Sequence, residues 1–294
     1  MKFLNYGLFF FTLFSYSQVD TEIYLLDINI NSDNIEVFNS KIISKTTGYN
    51  NQPYFINDNQ LLFTSERDGQ NDIVHYNISE NKNRRNIFKY LTNTTTSEYS
   101  PIQYKKNKVT AVSLDKSGNQ YLRIYDVKKN TFKIPFKDKV VGYYNHSKET
   151  KNLIVSSILE NSELVLYISN LKTREHVFID NNTGRSIHPI PNNKFGQEKF
   201  TYISKKDSIW TINYVKLSNY KTGVLINTLE NNEDICILRD GTILTSRGNK
   251  LYKINPSNDS KWVLLCSLEG FGITNISRIS INPNNDKLAL VNSK

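Results

Sequence analysis

Apolar and polar residues alternate along most of this chain, and Tyr, Phe, Ile, Val and Thr fill many of the apolar positions. Helical three-to-four spacing is scarce after the first residues, so the pattern predicts strands. It is sharpest in "LLFTSERDGQNDIVHYNI" (Leu61–Ile78). Two alternating runs flank Asp68-Gly69, which predicts a hairpin with a tight turn. The segment Asp68 to Asp72 also has the look of a short acidic calcium loop. A second copy decides between the two. Leu61–Ile78 aligns without a gap to "TAVSLDKSGNQYLRIYDV" (Thr110–Val127), with Gly69 on Gly118, Tyr76 on Tyr125 and Ile78 on Val127. Lys116-Ser117 stand in the place of Arg67-Asp68, so the acids change while the glycine and strands remain. A metal loop needs oxygen ligands at fixed positions. A hairpin needs only residues that tolerate positive φ. The turn is the better reading.

Weaker copies follow at intervals of roughly 40–50 residues. "LIVSSILENSELVLYISNL" (Leu153–Leu171) turns at Asn161-Ser162, "FTYISKKDSIWTINYV" (Phe200–Val215) at Lys206-Asp207, and "TILTSRGNKLYKINP" (Thr242–Pro256) at Gly248-Asn249. Each hairpin has one strand before it, such as "NQPYFI" (Asn51–Ile56) or "DICILR" (Asp234–Arg239), and one after it, such as "IFKYLT" (Ile87–Thr92) or "WVLLCS" (Trp262–Ser267). Four strands at this period make a propeller blade. Five blades are complete. Two strand patterns remain at the C-terminus, Ile276–Pro283 and Lys287–Ser293, and two at the N-terminus, Glu22–Ile28 and Asn34–Ile43. The prediction is an all-β, six-bladed β-propeller with four antiparallel strands per blade, its last blade closed by the two N-terminal strands. Such closure leaves no open sheet edge between first and last blade.

The first residues are a separate object. Lys2, the apolar run Phe3–Phe14 and the small residues of Ser15-Tyr16-Ser17 make a secretory signal peptide over residues 1–17, leaving a single propeller domain over 18–294. The apolar run is short for a membrane span, and no later segment is apolar enough for one. With no Cys after it, a lipid anchor is not expected. The protein is therefore read as periplasmic or secreted, from a Gram-negative bacterium, and as a monomer. Hydrophobic residues make up 38% and aromatics 12%, ample for a packed core. The formal charge is +9, or +8 once Lys2 leaves with the signal. The cations are dispersed, with short clusters such as Asn81–Arg85, so they read as a solvated surface, not as a nucleic-acid site. Cys236 falls on an innermost strand and Cys266 on the outermost strand of the same blade, three strand spacings apart. That is beyond disulfide reach, so two free, buried thiols are expected.

The blade repeat resembles that of the TolB-like propellers: a Pro-containing inner strand, a second strand ending in Ser, an Arg-Asp-Gly turn and an Asp-Ile-Tyr third strand. "NQPYFINDNQLLFTSERDGQNDIVHYNI" (Asn51–Ile78) matches best and Glu98–Val127 next, while later blades match in outline. The resemblance spans nearly the whole mature chain, without the N-terminal α/β domain of TolB. It implies an exported propeller that binds partner proteins of the cell envelope, and it speaks to fold far more than to function.

No Gly-x-Ser-x-Gly, His-Glu-x-x-His, Cys-x-x-Cys or P-loop pattern occurs. His75, His146 and His176 lack metal-ligand spacing, and Trp210 and Trp262 read as packing between blades. One constellation remains. Residues entering the inner strands ring a propeller's channel, and here these are Asn51, Gln52, Glu98, Tyr143, Arg185, His188, Glu233, Asn275 and Arg278. Three readings stand: a wet channel mouth without a ligand; a site for an envelope protein, a peptide or a small ligand, with no cofactor; or a lactonase- or phosphotriesterase-like hydrolase holding calcium on the channel carboxylates.

Overall fold

The structure is a computed structural model and describes residues 20–30, 34–78, 87–191 and 195–294. The expected signal peptide and the Asn81–Arg85 cluster lie outside the described residues. Six four-stranded antiparallel sheets surround a channel. Blade one comprises β3 (Asn50–Asn57), β4 (Gln60–Arg67), β5 (Gln70–Asn77) and β6 (Phe88–Tyr90). Blade two comprises β7 (Ser97–Lys105), β8 (Lys108–Leu114), β9 (Gln120–Asp126) and β10 (Thr131–Lys133). Blade three comprises β11 (Val141–His146), β12 (Leu153–Glu160), β13 (Glu163–Asn170) and β14 (His176–Asp180). Blade four comprises β15 (Thr183–Pro189), β16 (Lys199–Ser204), β17 (Thr211–Lys216) and β18 (Thr222–Asn227). Blade five comprises β19 (Ile235–Ile237), β20 (Ile243–Arg247), β21 (Lys250–Ile254) and β22 (Val263–Ser267). Blade six joins the two ends of the chain in the order β2 (Ile35–Ile42), β1 (Thr21–Ile30), β24 (Lys287–Ser293), β23 (Ile276–Ile281). The predicted closure is present.

The alternation sorts side chains between neighbouring blades. On β4, Leu61 and Phe63 pack towards blade six with Ile23, Leu25 and Val291, whereas Leu62 between them packs towards blade two with Val109 and Ala111. On β24, Ala289 and Val291 face blade one while Leu288 and Leu290 face blade five. Strands buried on both faces read as continuous apolar runs, and each blade interface carries its own core.

Asp68 and Gly69 both have positive φ, 54° and 75°, between the paired ends Arg67 and Gln70. That is the backbone of a type I′ turn. Asp72 accepts from Arg67 Nη2 at 2.6 Å and from Thr92 Oγ1 at 3.0 Å, so the acidic run locks a hairpin. Asn161-Ser162 makes the same turn, with φ of 47° and 68°. Two predicted turns are wider than expected. β8 pairs Leu114 with Gln120, and Asp115 Oδ1 holds the loop by accepting from the N–H groups of Ser117 and Asn119. Lys206-Asp207 sits within a loop between Ser204 and Thr211. Both cysteines are free. Cys236 is buried as expected, but Cys266 is only half-buried, because an outermost strand has water on one side. Burial raises both thiols, Cys266 to about 11. The indole of Trp262 donates to Asn227 O at 3.1 Å, and Trp210 and Trp262 pack between blades four and five.

Candidate functional site at the propeller channel

The inner strands are not regular where they begin. Pairing shifts between Asn51 and Tyr54 on β3, Tyr99 and Ile102 on β7, Val141 and Tyr143 on β11, Thr183 and Ile187 on β15, and Ile276 and Arg278 on β23. Such bulges re-aim side chains. Gln52 and Ser100, each before a proline, adopt positive φ of 58° and 51°. The bulges bring Gln52, Tyr143, Arg185 and Arg278 onto the channel wall, and the short strand β19 adds Asp234 just before its start. Gln52 Oε1 ties two blades by accepting from Thr64 Oγ1 at 3.0 Å and from Ser100 N–H at 2.8 Å.

At this upper mouth one carboxylate holds two guanidiniums. Asp234, 6% exposed, accepts from Arg278 Nη1 at 3.0 Å and from Arg185 Nη2. Arg185 also reaches Ser277 O at 3.3 Å, so blades four, five and six meet through charge. Burial and the neighbouring Arg278 hold the Arg185 guanidinium below its ordinary pKa. Arg278 lies 5.7 Å from the centre of the Tyr143 ring, and Tyr49 and Tyr99 stack edge-on at 5.8 Å. Burial pushes the Tyr49 hydroxyl up to about 12.

No known family profile matches the sequence, and neither does any curated protein. Solved structures do match. A TolB-type propeller from Agrobacterium tumefaciens superposes with a TM-score of 0.65 at 8% identity over 94% of this chain and 99% of that one. The chain has the TolB-like six-bladed propeller fold. TolB from Acinetobacter baumannii gives a TM-score of 0.58 at 10% identity over 92% and 80%. Oligogalacturonate lyase from Vibrio parahaemolyticus gives 0.51 at 11% over 94% and 98%. At these identities the TolB-like likeness shows the fold, and function rests on the site. No helix among the described residues is long and apolar enough to cross a membrane.

Within this TolB-like channel, five of the nine expected residues line the wall: Gln52, Tyr143, Arg185, His188 and Arg278. The other four do not. Asn51 is buried and caps its own bulge, its Oδ1 accepting from Gln52 N–H at 2.7 Å. Glu98 is fully buried between blades, where one oxygen accepts from Thr94 and Thr96 at 2.6 Å each and from Tyr125 at 3.0 Å. Burial raises its pKa and the hydroxyls partly offset that. Glu233 turns outward to Lys205 Nζ at 2.8 Å and to Arg185 N–H at 3.0 Å. It lies over Gly184, where a Cβ would come within 2.6 Å of its Oε2. Burial works against its charge, but Lys205 and the Arg185 amide and guanidinium prevail and lower its pKa. Asn275 is exposed in the loop before β23, with its N–H bound to Asn292 Oδ1 at 3.0 Å. Asp234 was not among the expected residues. Its signal was available, since Asp234-Ile-Cys-Ile repeats the pattern of Arg278-Ile-Ser-Ile in the next blade.

The donor set does not suit calcium. Asp234 is shared by two arginines, Glu233 is paired with Lys205, and Glu98, one oxygen of which takes three hydroxyls, is buried off the channel wall. Among the described residues no three His, Cys, Asp or Glu side chains come together to hold a metal ion.

Two channel histidines are held neutral. Burial, with a smaller contribution from Lys105, pushes His146 down to about 3. Burial, with Arg278, pushes His188 to about 4. His146 Nε2 meets Thr110 Oγ1 at 2.7 Å. The unfolded chain takes up these protons near 6.5. Their contribution to stability is therefore complete above that pH and is lost as pH falls towards the folded values, at about 1.4 kcal/mol per pH unit per group. A His146→Gln variant is expected to show a flatter dependence of its urea midpoint on pH between 6 and 4. An unchanged slope would refute the buried neutral state.

Proposed function

We propose that this protein is an exported, non-enzymatic binding module of the cell envelope that holds a partner protein or peptide on the upper face of the propeller. The observation that carries this reading is the gathering of Tyr49, Tyr99, Tyr143, Arg185 and Arg278 at one mouth, with both arginines oriented by Asp234. Tyr and Arg dominate the energetics of protein interfaces. Here a rigid sheet scaffold presents them, so little ordering cost falls on association. The TolB-like fold supports an envelope setting, and the N-terminal sequence of residues 1–17 supports export. The hydrolase reading is weaker because Asp234 and Glu233 are paired with cations and Glu98 is buried between blades, off the channel wall.

The test is retention of envelope proteins by the immobilised protein. A discrete partner is expected to be held by the native chain and to be lost about ten-fold in Tyr143→Ala and Arg278→Gln, each removing one hot-spot contact. Lys128→Gln, on the remote outer turn of blade two, should retain it. EDTA should leave the melting curve unmoved. Stoichiometric calcium together with a melting temperature that drops on chelation would overturn the reading in favour of the hydrolase.

A further inference from the structure

Charge is divided unevenly between the two sides of the propeller. In each antiparallel blade the connection after the inner strand and the connection before the outer strand lie on one side, the lower, and the others lie on the upper. In blades two, three and four the lower connections are 105–108, 126–131, 146–153, 170–176, 189–199 and 216–222. Among the described residues they carry twelve Lys or Arg and four carboxylates, a net charge of +8 with every acid counted as charged. The upper connections of the same blades, 90–97, 114–120, 133–141, 160–163, 180–183 and 204–211, carry six cations and six carboxylates. The lower connections of the other three blades carry three cations and four carboxylates among the described residues. The excess therefore belongs to one half of one face.

Nine of these twelve side chains are exposed, and among the described residues Lys108, 3.2 Å from Asp126, is the one of the twelve with an ion pair. The backbone beneath them is tied together. Glu149 accepts from Gly196 N–H at 2.8 Å and Glu198 from Lys148 N–H at 2.7 Å, joining the loops of blades three and four. Tyr104 Oη donates to Asn152 Oδ1 at 3.0 Å, joining blade two to blade three. Within each blade the two lower connections also bond to one another: Val127 N–H to Asn107 O at 3.0 Å, Leu171 N–H to Asn152 O at 2.8 Å, and Leu217 N–H to Glu198 O at 3.0 Å. Two aromatic side chains stand out from the same side, both in blade four. Phe195 is 91% exposed and Tyr220 43%. Tyr220 lies in its turn at φ 59°, a conformation uncommon for a bulky side chain.

A broad surface of one sign attracts a broad surface of the other through its summed field, and no single ligand has to bridge separate side chains. Eleven of the twelve cations are lysine, a point charge suited to a diffuse field, whereas paired recognition of one phosphate or carboxylate favours arginine. Lysine is depleted at protein–protein interfaces. Lysines beside protruding aromatic side chains suit the boundary of a bilayer with acidic headgroups, where electrostatic attraction and apolar burial add. We propose that the lower face of blades two to four docks on a bilayer surface rich in anionic lipid, with Phe195 and Tyr220 entering the headgroup layer. This goes beyond the protein-binding reading, using the opposite face and leaving the upper mouth open to its partner.

The test is flotation of the purified protein with vesicles of phosphatidylglycerol mixed with phosphatidylcholine, against vesicles of phosphatidylcholine alone. Partition onto the anionic vesicles is expected to be at least ten-fold the stronger, and to fall at about 1 M salt, where screening cuts the reach of the field to about 3 Å. Each cation near such a surface raises partition about five-fold. Lys128→Gln/Lys129→Gln on the lower turn of blade two should therefore weaken it at least ten-fold with an unchanged melting curve, since both side chains are exposed. Lys116→Gln/Lys137→Gln, of equal charge change on exposed upper connections, should bind as the native chain does. Phe195→Ser should weaken binding at least five-fold and reduce what survives at high salt. Tyr143→Ala should float with the vesicles as the native chain does, which separates this surface from the protein-binding one. No preference for the anionic vesicles, equal weakening by the two double variants, or unchanged binding by Phe195→Ser would overturn the proposal. Tighter retention on dextran sulfate beads than on the vesicles would also overturn it, in favour of an anionic polysaccharide.

Discussion

A chain cut after Asp286 is expected not to fold. The cut removes β24, the strand that joins β1 on one side to β23 on the other. Leu288, Ala289, Leu290 and Val291 are each fully buried and contribute to the cores of two blade interfaces. Burial of each large aliphatic side chain is worth about 1.5–3 kcal/mol. Three of them, with the loss of both ladders, rival the roughly 5–15 kcal/mol net stability of a whole domain. The cut also bares the edges of β1 and β23, which invites aggregation. The expected result is loss of near-UV circular dichroism and of any cooperative melting transition. A milder probe is Leu290→Ala, expected to cost about 2–5 kcal/mol while leaving the fold in place. If the shortened chain melted within a few degrees of the full one, blade six would be dispensable and closure would not hold the ring.

Replacing Asp234 with Asn is expected to be the most damaging single change at the upper mouth. The side chain is nearly buried and is the shared partner of Arg185 and Arg278, which sit on the blades to either side. Without its charge the two guanidiniums face each other in a confined space. Removing one partner of a buried ion pair costs more than forming the pair gains. Arg185 and Arg278 keep part of their hydration, with side-chain exposures of 30% and 17%, which trims the effect to about 2–4 kcal/mol. In the Asp234→Asn background, Arg185→Met should restore part of the loss, because it removes the repulsion along with the charge. Residues in one network couple by about 0.5–3 kcal/mol in such a cycle. Strict additivity in chemical denaturation would show that the two arginines do not depend on Asp234.

The blades were legible in the sequence because one local signal recurs. Asp68-Gly69, Asn161-Ser162 and Gly248 each mark a hairpin turn with positive φ, and the alternating runs around them set the strands. The site was legible only in part, and the bulges are the reason. Regular alternation would put every second residue of an inner strand on the channel. Extra residues at Gln52-Pro53, Ser100-Pro101 and Gly184 to Ser186 shift that phase by amounts the pattern does not encode. Glu98 and Glu233 lie a residue or two before the turn into the channel and point elsewhere, whereas Asp234, next to Glu233, points in.

The joining of β1 to β24 has a consequence for the life of the molecule before it is finished. β1 pairs with β2 at once but must wait for its other neighbour, which lies 272 residues on, from Thr21 to Ser293. Blades one to five have their own strands as soon as each leaves the ribosome, but no nascent chain can shut the circle until Ser293 has been polymerised. The growing polypeptide is thus an open crescent with two sticky ends. Until then β1 and β23 each present an open edge, and the ring takes its final shape only when β24 enters between them.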